Sequence, residues 1–264
     1  MSWWEAALLG LLQGLTEFLP VSSSGHLVLG RYALGLEPSG DATFAVFVHF
    51  GTVLSILTVY RRRVGSIVVS ALGAAVGRRA AGAAPDARLG LYILLSLIPT
   101  AIVYLLFKDS LEAAFGSPRL VCLMLVATGA LLFLTLLRPH PNGELSIGKA
   151  LAVGAAQAVA IIPGISRSGA TICAALYQNV SPEKAADFSF LMLLPVVVGA
   201  TILKSLELQL DAPVMPLVVG TLAAYVSGMI AIRVVLEFVR RGRLHVFAWY
   251  CLAAGTAGFF VVPA

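Results

Sequence analysis

The chain carries nearly the same polar segment twice, 144 residues apart, each time inside a stretch otherwise suited to lipid. Gln13 to His26 (QGLTEFLPVSSSGH) aligns with Gln157 to Ala170 (QAVAIIPGISRSGA), with Gln, Ser, Ser and Gly coinciding at four positions. Where the copies differ, Glu17, Ser23 and His26 face Ile161, Arg167 and Ala170. A duplicated membrane unit whose halves have divided the chemistry is the simplest reading.

Composition agrees: 59% of the 264 residues are hydrophobic and only 12% charged, with mean hydropathy +0.94. Backbone groups in hydrocarbon must be paired internally, so long apolar stretches are expected to be helices. The net charge of +5 does not point to nucleic acid, because basic residues cluster between apolar runs. Cys122, Cys173 and Cys251 are widely spaced in apolar surroundings and read as small core residues, not as a disulfide framework. The first residues lack the basic start and cleavage site of a signal peptide, so the first apolar run is expected to stay in the mature protein.

Six stretches are long enough to span a bilayer: about 42 to 60, 89 to 107, 119 to 137, 185 to 203, 214 to 236 and 244 to 262. Two more, about 3 to 33 and 147 to 178, are broken by Pro20 and by Pro163-Gly164. Residues 6 to 19 would rise only roughly 21 Å against a core of about 30 Å, so each broken stretch is expected to be a re-entrant helical hairpin. The expected fold is therefore an all-α polytopic membrane protein of one domain, with a first repeat at 1–138 and a second at 147–264. A returning hairpin followed by three crossings makes the second copy inverted. Arg61, Arg62, Arg63, Arg78, Arg79, Arg88, Arg240, Arg241 and Arg243 then fall on one side, expected to be cytoplasmic. Glu37, Asp41, Asp109, Glu112, Glu207 and Asp211 fall on the other, placing both termini and the first hairpin's opening outside.

Gln13 and Glu17 share a helix face one turn apart, and a carboxylate at membrane depth needs water, a cation or a partner. Ser22, Ser23 and Ser24 can cap the following half-helix, whose free amides favour an anion, with Gly25 and a proton-exchanging His26 next. The second copy offers Ser166, Arg167, Ser168 and Gly169, in which the Arg167 fork suits phosphate. A buried Arg167–Glu17 ion pair that only ties the halves together is the plainer alternative. Together these residues imply an anion site in lipid whose natural occupant is a phosphorylated lipid, with a divalent cation between Glu17 and the phosphate oxygens. His49 reads better as an interhelical hydrogen-bond partner than as a ligand; His140 and His245 fall near loops or span ends. No G-x-S-x-G elbow, phosphate loop or zinc pattern is present.

Gln13, Glu17 and Pro20 through His26, with Pro163 through Gly169, closely resemble the two signatures of the undecaprenyl-diphosphate phosphatase family of bacterial membrane enzymes associated with bacitracin resistance. The similarity extends through Phe44 to Arg63 and Ala185 to Pro195. Gln13 takes the less acidic option at its position, leaving Glu17 as sole carboxylate of the pair, and Ala45 stands where the resemblance leads one to expect Asp. The resemblance implies hydrolysis of undecaprenyl diphosphate to undecaprenyl phosphate and inorganic phosphate at the outer face of the bacterial plasma membrane, with Mg2+ or Ca2+. It implies Glu17, Ser23, His26 and Arg167 as catalytic residues, Glu17 also as metal-binding carboxylate, and Gln13, Ser22, Ser24, Gly25, Ser166, Ser168 and Gly169 as substrate-binding. The nucleophile is open among serine, histidine and water. A lipid-phosphate transporter or flippase is the competing class, because inverted repeats with broken helices are also the architecture of alternating access. The apolar helix faces leave both a monomer and a homo-oligomer open.

Overall fold

The computed structural model describes residues 1–37, 42–75, 84–137, 141–205 and 213–262. Arg78, Arg79, His140, Asp41, Glu207 and Asp211 lie outside the described residues. The fold is all-α. Among the described residues the sole β pairing is an isolated bridge between Gly143 and Val180.

Two short helices open the chain: α1 (Trp3–Phe18) and α2 (Ser23–Ala33). Ser2 and Glu5 start α1 with a capping box, Ser2 accepting from the Glu5 amide while the Glu5 carboxylate accepts from the Ser2 amide. The helix ends at Leu19, which takes the extended conformation that a following proline demands. Next come α3 (Ala42–Val59), α4 (Arg61–Ala75), α5 (Ala84–Phe115) and α6 (Pro118–Leu134), the last trailing into a 3-10 turn at Thr135–Leu137. A second short pair, α7 (Ile147–Val159) and α8 (Arg167–Tyr177), precedes α9 (Pro182–Ser205), α10 (Val214–Arg240) and α11 (His245–Val261).

Helices thus occupy all six stretches expected to span. Among the described residues three helices, at Pro85–Phe115, Pro118–Leu137 and Val214–Arg240, are long and apolar enough to cross a bilayer. The pair Thr43–Val59 and Arg61–Gly73, bent by 85°, brings the number to four if it counts as one broken span. The chain is a multi-pass membrane protein on this ground. Two features differ from the sequence reading. Residues 61–75, where the sequence predicts a basic connection, form α4; and α5 runs beyond its expected end, through a kink at Phe107 (φ −125°, ψ 18°).

The halves interlock. Helix α1 packs on α10 and α7 packs on α5, while α10 also receives α3 and α5 also receives α9. Small residues make the first two contacts close. A Cβ on Gly10 would sit 2.3 Å from the Gly220 carbonyl oxygen, and one on Gly154, 144 residues later, 2.2 Å from that of Ser96. The larger core cluster centres on α9, with Phe18 edge-on to Phe190 at 5.6 Å, which ties α1 to the middle of the molecule.

Candidate active site

The turn between α1 and α2 and the turn between α7 and α8 touch. Gly25 lies against Gly164, where an added Cβ would be 3.2 Å from the Gly164 Cα, and the Ser168 hydroxyl donates to the Leu19 carbonyl at 3.1 Å. Each turn is built on an N-cap serine. Ser22 Oγ accepts from the Gly25 amide at 3.3 Å and Ser166 Oγ from the Gly169 amide at 3.1 Å. Thr128 of α6 pins the second turn, donating to the Gly164 carbonyl at 2.9 Å and accepting from the Ser166 amide at 3.0 Å.

Glu17, at the last turn of α1, is only 6% exposed. Its Oε1 accepts from Arg167 Nη2 at 2.9 Å, and its Oε2 accepts from Gln13 Nε2 at 2.8 Å and from Ser23 Oγ at 2.6 Å. A buried charge without a partner costs several kcal/mol, roughly 3–5 when one member of a pair is removed, so these three donors are what make the carboxylate tenable here. Arg167 is held from the other side by the Ser189 carbonyl, to which Nη1 donates at 2.8 Å, and Ser189 Oγ bonds Thr171 Oγ1 at 2.6 Å. A guanidinium has five N–H donors, so three remain beyond these two bonds.

Glu17, Ser23, Ser24 and Arg167 line one cavity of about 290 Å3. Its other polar walls are His49, Thr100, Gln157 and Thr201; its apolar walls include Val46, Phe115, Ile161, Ile165, Leu193 and Val197. The volume is at the low end of small-molecule sites, at roughly 300 Å3. Gln13, Ser22, Gly25, Ser166, Ser168 and Gly169 are not in the lining: Gln13 supports Glu17, and the others build the two turns beneath it.

The imidazole on the cavity wall is His49. His49 Nδ1 lies 2.8 Å from the Ala45 carbonyl, which can only accept, so that nitrogen carries the proton; Nε2 stands 3.8 Å from Glu17 Oε2. The sequence predicts an interhelical partner for His49, and the group it faces is Glu17 of α1, 32 residues away on another helix. His26 is turned elsewhere. Its Nδ1 lies 2.8 Å from the Ser22 carbonyl and its Nε2 2.7 Å from Tyr250 Oη of α11, the two rings stacked at 5.6 Å. Tyr250, an aromatic in an apolar helix, gave no signal in the sequence. Ser22 itself has φ +70° and ψ 96°, a conformation costing about 1–3 kcal/mol in a residue with a Cβ.

Hard oxygen ligands are few. No group of three or more His, Cys, Asp or Glu that could hold a metal occurs among the described residues. Glu17 Oε1 accepts a single bond, and Gln157 Oε1 is buried without a partner at the cavity wall. That donor set fits a cation completed by phosphate oxygens, as Mg2+ commonly is, and not one caged by protein alone.

The sequence profile described as bacitracin resistance protein BacA matches residues 6–257. An undecaprenyl-diphosphatase of Salinibacter ruber is 58% identical over 99% of this chain and 100% of its own length. Undecaprenyl-diphosphatases of Korarchaeum cryptofilum and Bacteroides thetaiotaomicron are 40% and 38% identical, covering 96% and 97% of this chain and 97% and 98% of their own. With a match through both duplicated turns and nearly every helix, the chain belongs to the bacitracin resistance protein BacA family.

Proposed function

We propose that this chain hydrolyses undecaprenyl diphosphate to undecaprenyl phosphate and inorganic phosphate, recycling the carrier lipid of cell-wall synthesis. The observation that carries the reading is the meeting of Glu17, Ser23 and Arg167 in one partly apolar cavity. Arg167 offers its remaining N–H donors to the diphosphate and stabilises charge as it develops. Ser23 Oγ attacks the terminal phosphorus and its proton passes along the existing hydrogen bond to Glu17 Oε2. The bond from phosphorus to the bridging oxygen breaks, and its electron pair leaves with undecaprenyl phosphate. Water then attacks the phosphoserine, the bond to Oγ breaks, Glu17 returns the proton to Ser23, and inorganic phosphate departs. Glu17 and the Gln157 carbonyl would hold a divalent cation, which neutralises phosphate charge when bound. Apolar walls such as Val46, Phe115 and Leu193 suit the start of the prenyl tail.

The same reading takes α1–α2 and α7–α8 as re-entrant hairpins within an inverted repeat of six crossings, with the cavity opening outward. The reciprocal packing of α1 on α10 and α7 on α5 supports it. So does the gathering of one helix end: Tyr60 donates to Asp187 at 2.8 Å and Arg240 pairs with Glu183 at 3.4 Å, so Arg61–Arg63 and Arg240 share one face of the bundle, as a cytoplasmic face requires. That interlocked symmetry also favours lipid translocation as the second reading. Purified protein in detergent separates the two. Cation-dependent phosphate release from undecaprenyl diphosphate, with label trapped on Ser23 as an acid-stable phosphoserine, is expected; no release there, with lipid movement across vesicles, would reverse the assignment.

A further inference from the structure

We infer that Tyr250 and His26 form a strut that sets the position of Ser23, and that His26 is a positioning residue, not the proton acceptor of the reaction. This rests on the reading of Glu17 and Ser23 as the reacting pair. A carbonyl cannot donate, so the proton between His26 and the Ser22 carbonyl sits on Nδ1; in the neutral ring Nε2 then accepts from the Tyr250 hydroxyl. Both ring nitrogens are spent, and the ring is absent from the cavity lining. What the strut holds is the carbonyl of Ser22, the residue with φ +70°, immediately before Ser23, whose hydroxyl meets Glu17 at 2.6 Å. Helix α11 grips the same turn a second time, through Cys251 Sγ on the Pro20 carbonyl at 3.7 Å.

The duplicated turn serves as an internal control. Ser166 occupies the position of Ser22 and caps its helix in the same way, but its φ is −74°; the left-handed residue there is Gly164, at φ +98°. The position of His26 is Ala170, which bonds the Ser166 carbonyl through its backbone amide alone, at 2.8 Å. The copy with a strained serine has the strut; the copy without strain has none.

Steady-state kinetics on detergent-purified variants test this. Tyr250→Phe keeps the ring and removes the hydroxyl, and should lower kcat about tenfold with KM nearly unchanged. His26→Asn keeps a donor where Nδ1 was, whereas His26→Gln moves it towards Nε2; the Asn variant should be at least about tenfold more active and keep the wild-type shape of the pH–rate profile. Both variants falling to the level of Ser23→Ala, or the Asn variant losing one limb of the profile, would overturn the inference and make His26 a proton carrier. A readout independent of chemistry is thiol alkylation of Ser23→Cys. Adding Tyr250→Phe should change its rate several-fold, and an unchanged rate would overturn the strut. Full turnover by Ser23→Ala would instead sink the Glu17–Ser23 reading, leaving the strut to the alkylation result.

Discussion

The two turns share a scaffold and differ in almost everything placed on it. Both start a helix with a serine that caps the amide three residues on, and both set a second serine hydroxyl close to the first, at 3.3 Å and 3.2 Å. On the first turn stand the carboxylate, the hydroxyl it holds and a strained backbone; on the second stand the guanidinium and a backbone relaxed by glycine. Opposite charges brought by separate copies can meet without either copy having to bury both. In the mechanism proposed above, the two similar turns would thereby divide the acid–base group from the anion clamp.

The sharpest way to break that division is to remove the carboxylate. Glu17→Gln is nearly isosteric but leaves the half-buried Arg167 without its counter-charge and Ser23 without a proton acceptor, so phosphate release by folded protein should fall by at least about a thousandfold. Retained turnover would place the reacting base elsewhere, with His49 the next group on the wall. Arg167→Lys keeps the charge and loses the fork that spans Glu17 and the Ser189 carbonyl; activity should drop at least about tenfold, and near-normal rates would remove Arg167 from contact with substrate. Gly164→Ala tests the relaxed backbone of the second turn. Its Cβ would lie 2.4 Å from the Val121 carbonyl oxygen at φ +98°, and thermal unfolding in detergent should show a loss of about 1–3 kcal/mol. The smallest effect is at the strained counterpart: Ser22→Gly relieves a positive φ while giving up a cap, which glycine replaces at a few tenths of a kcal/mol. The melting temperature should hold or rise, by no more than about 1 kcal/mol equivalent; a clear fall would mean that the serine cap outweighs the strain.

Much of this was legible because membrane sequences have little freedom to be polar. Glu17 and Arg167 stood out as charges in apolar stretches, and their pairing at 2.9 Å follows from the aligned turns meeting. The breaks at Pro20 and Pro163 marked both short pairs for the same reason, a lost backbone donor. Helix α4 was hidden because its opening arginines look like a cytoplasmic loop, and only the exposed Val68, Val69 and Leu72 that follow give it a helical stripe. The partner of His49 and the whole role of Tyr250 escaped, since the contacts lie 32 and 224 positions away, where no local spacing reports them.

The interlock of the halves also has a consequence in time. Gly10 of α1 meets Gly220 of α10, and Arg167 follows Glu17 by 150 residues. At about 5–20 residues per second of synthesis, α1 waits roughly 10 to 40 s after its own completion for the helix it packs on. Through most of that interval the newborn hairpin carries its carboxylate without the arginine that stabilises it. The first half therefore lacks the helix that α1 packs on until translation is nearly over.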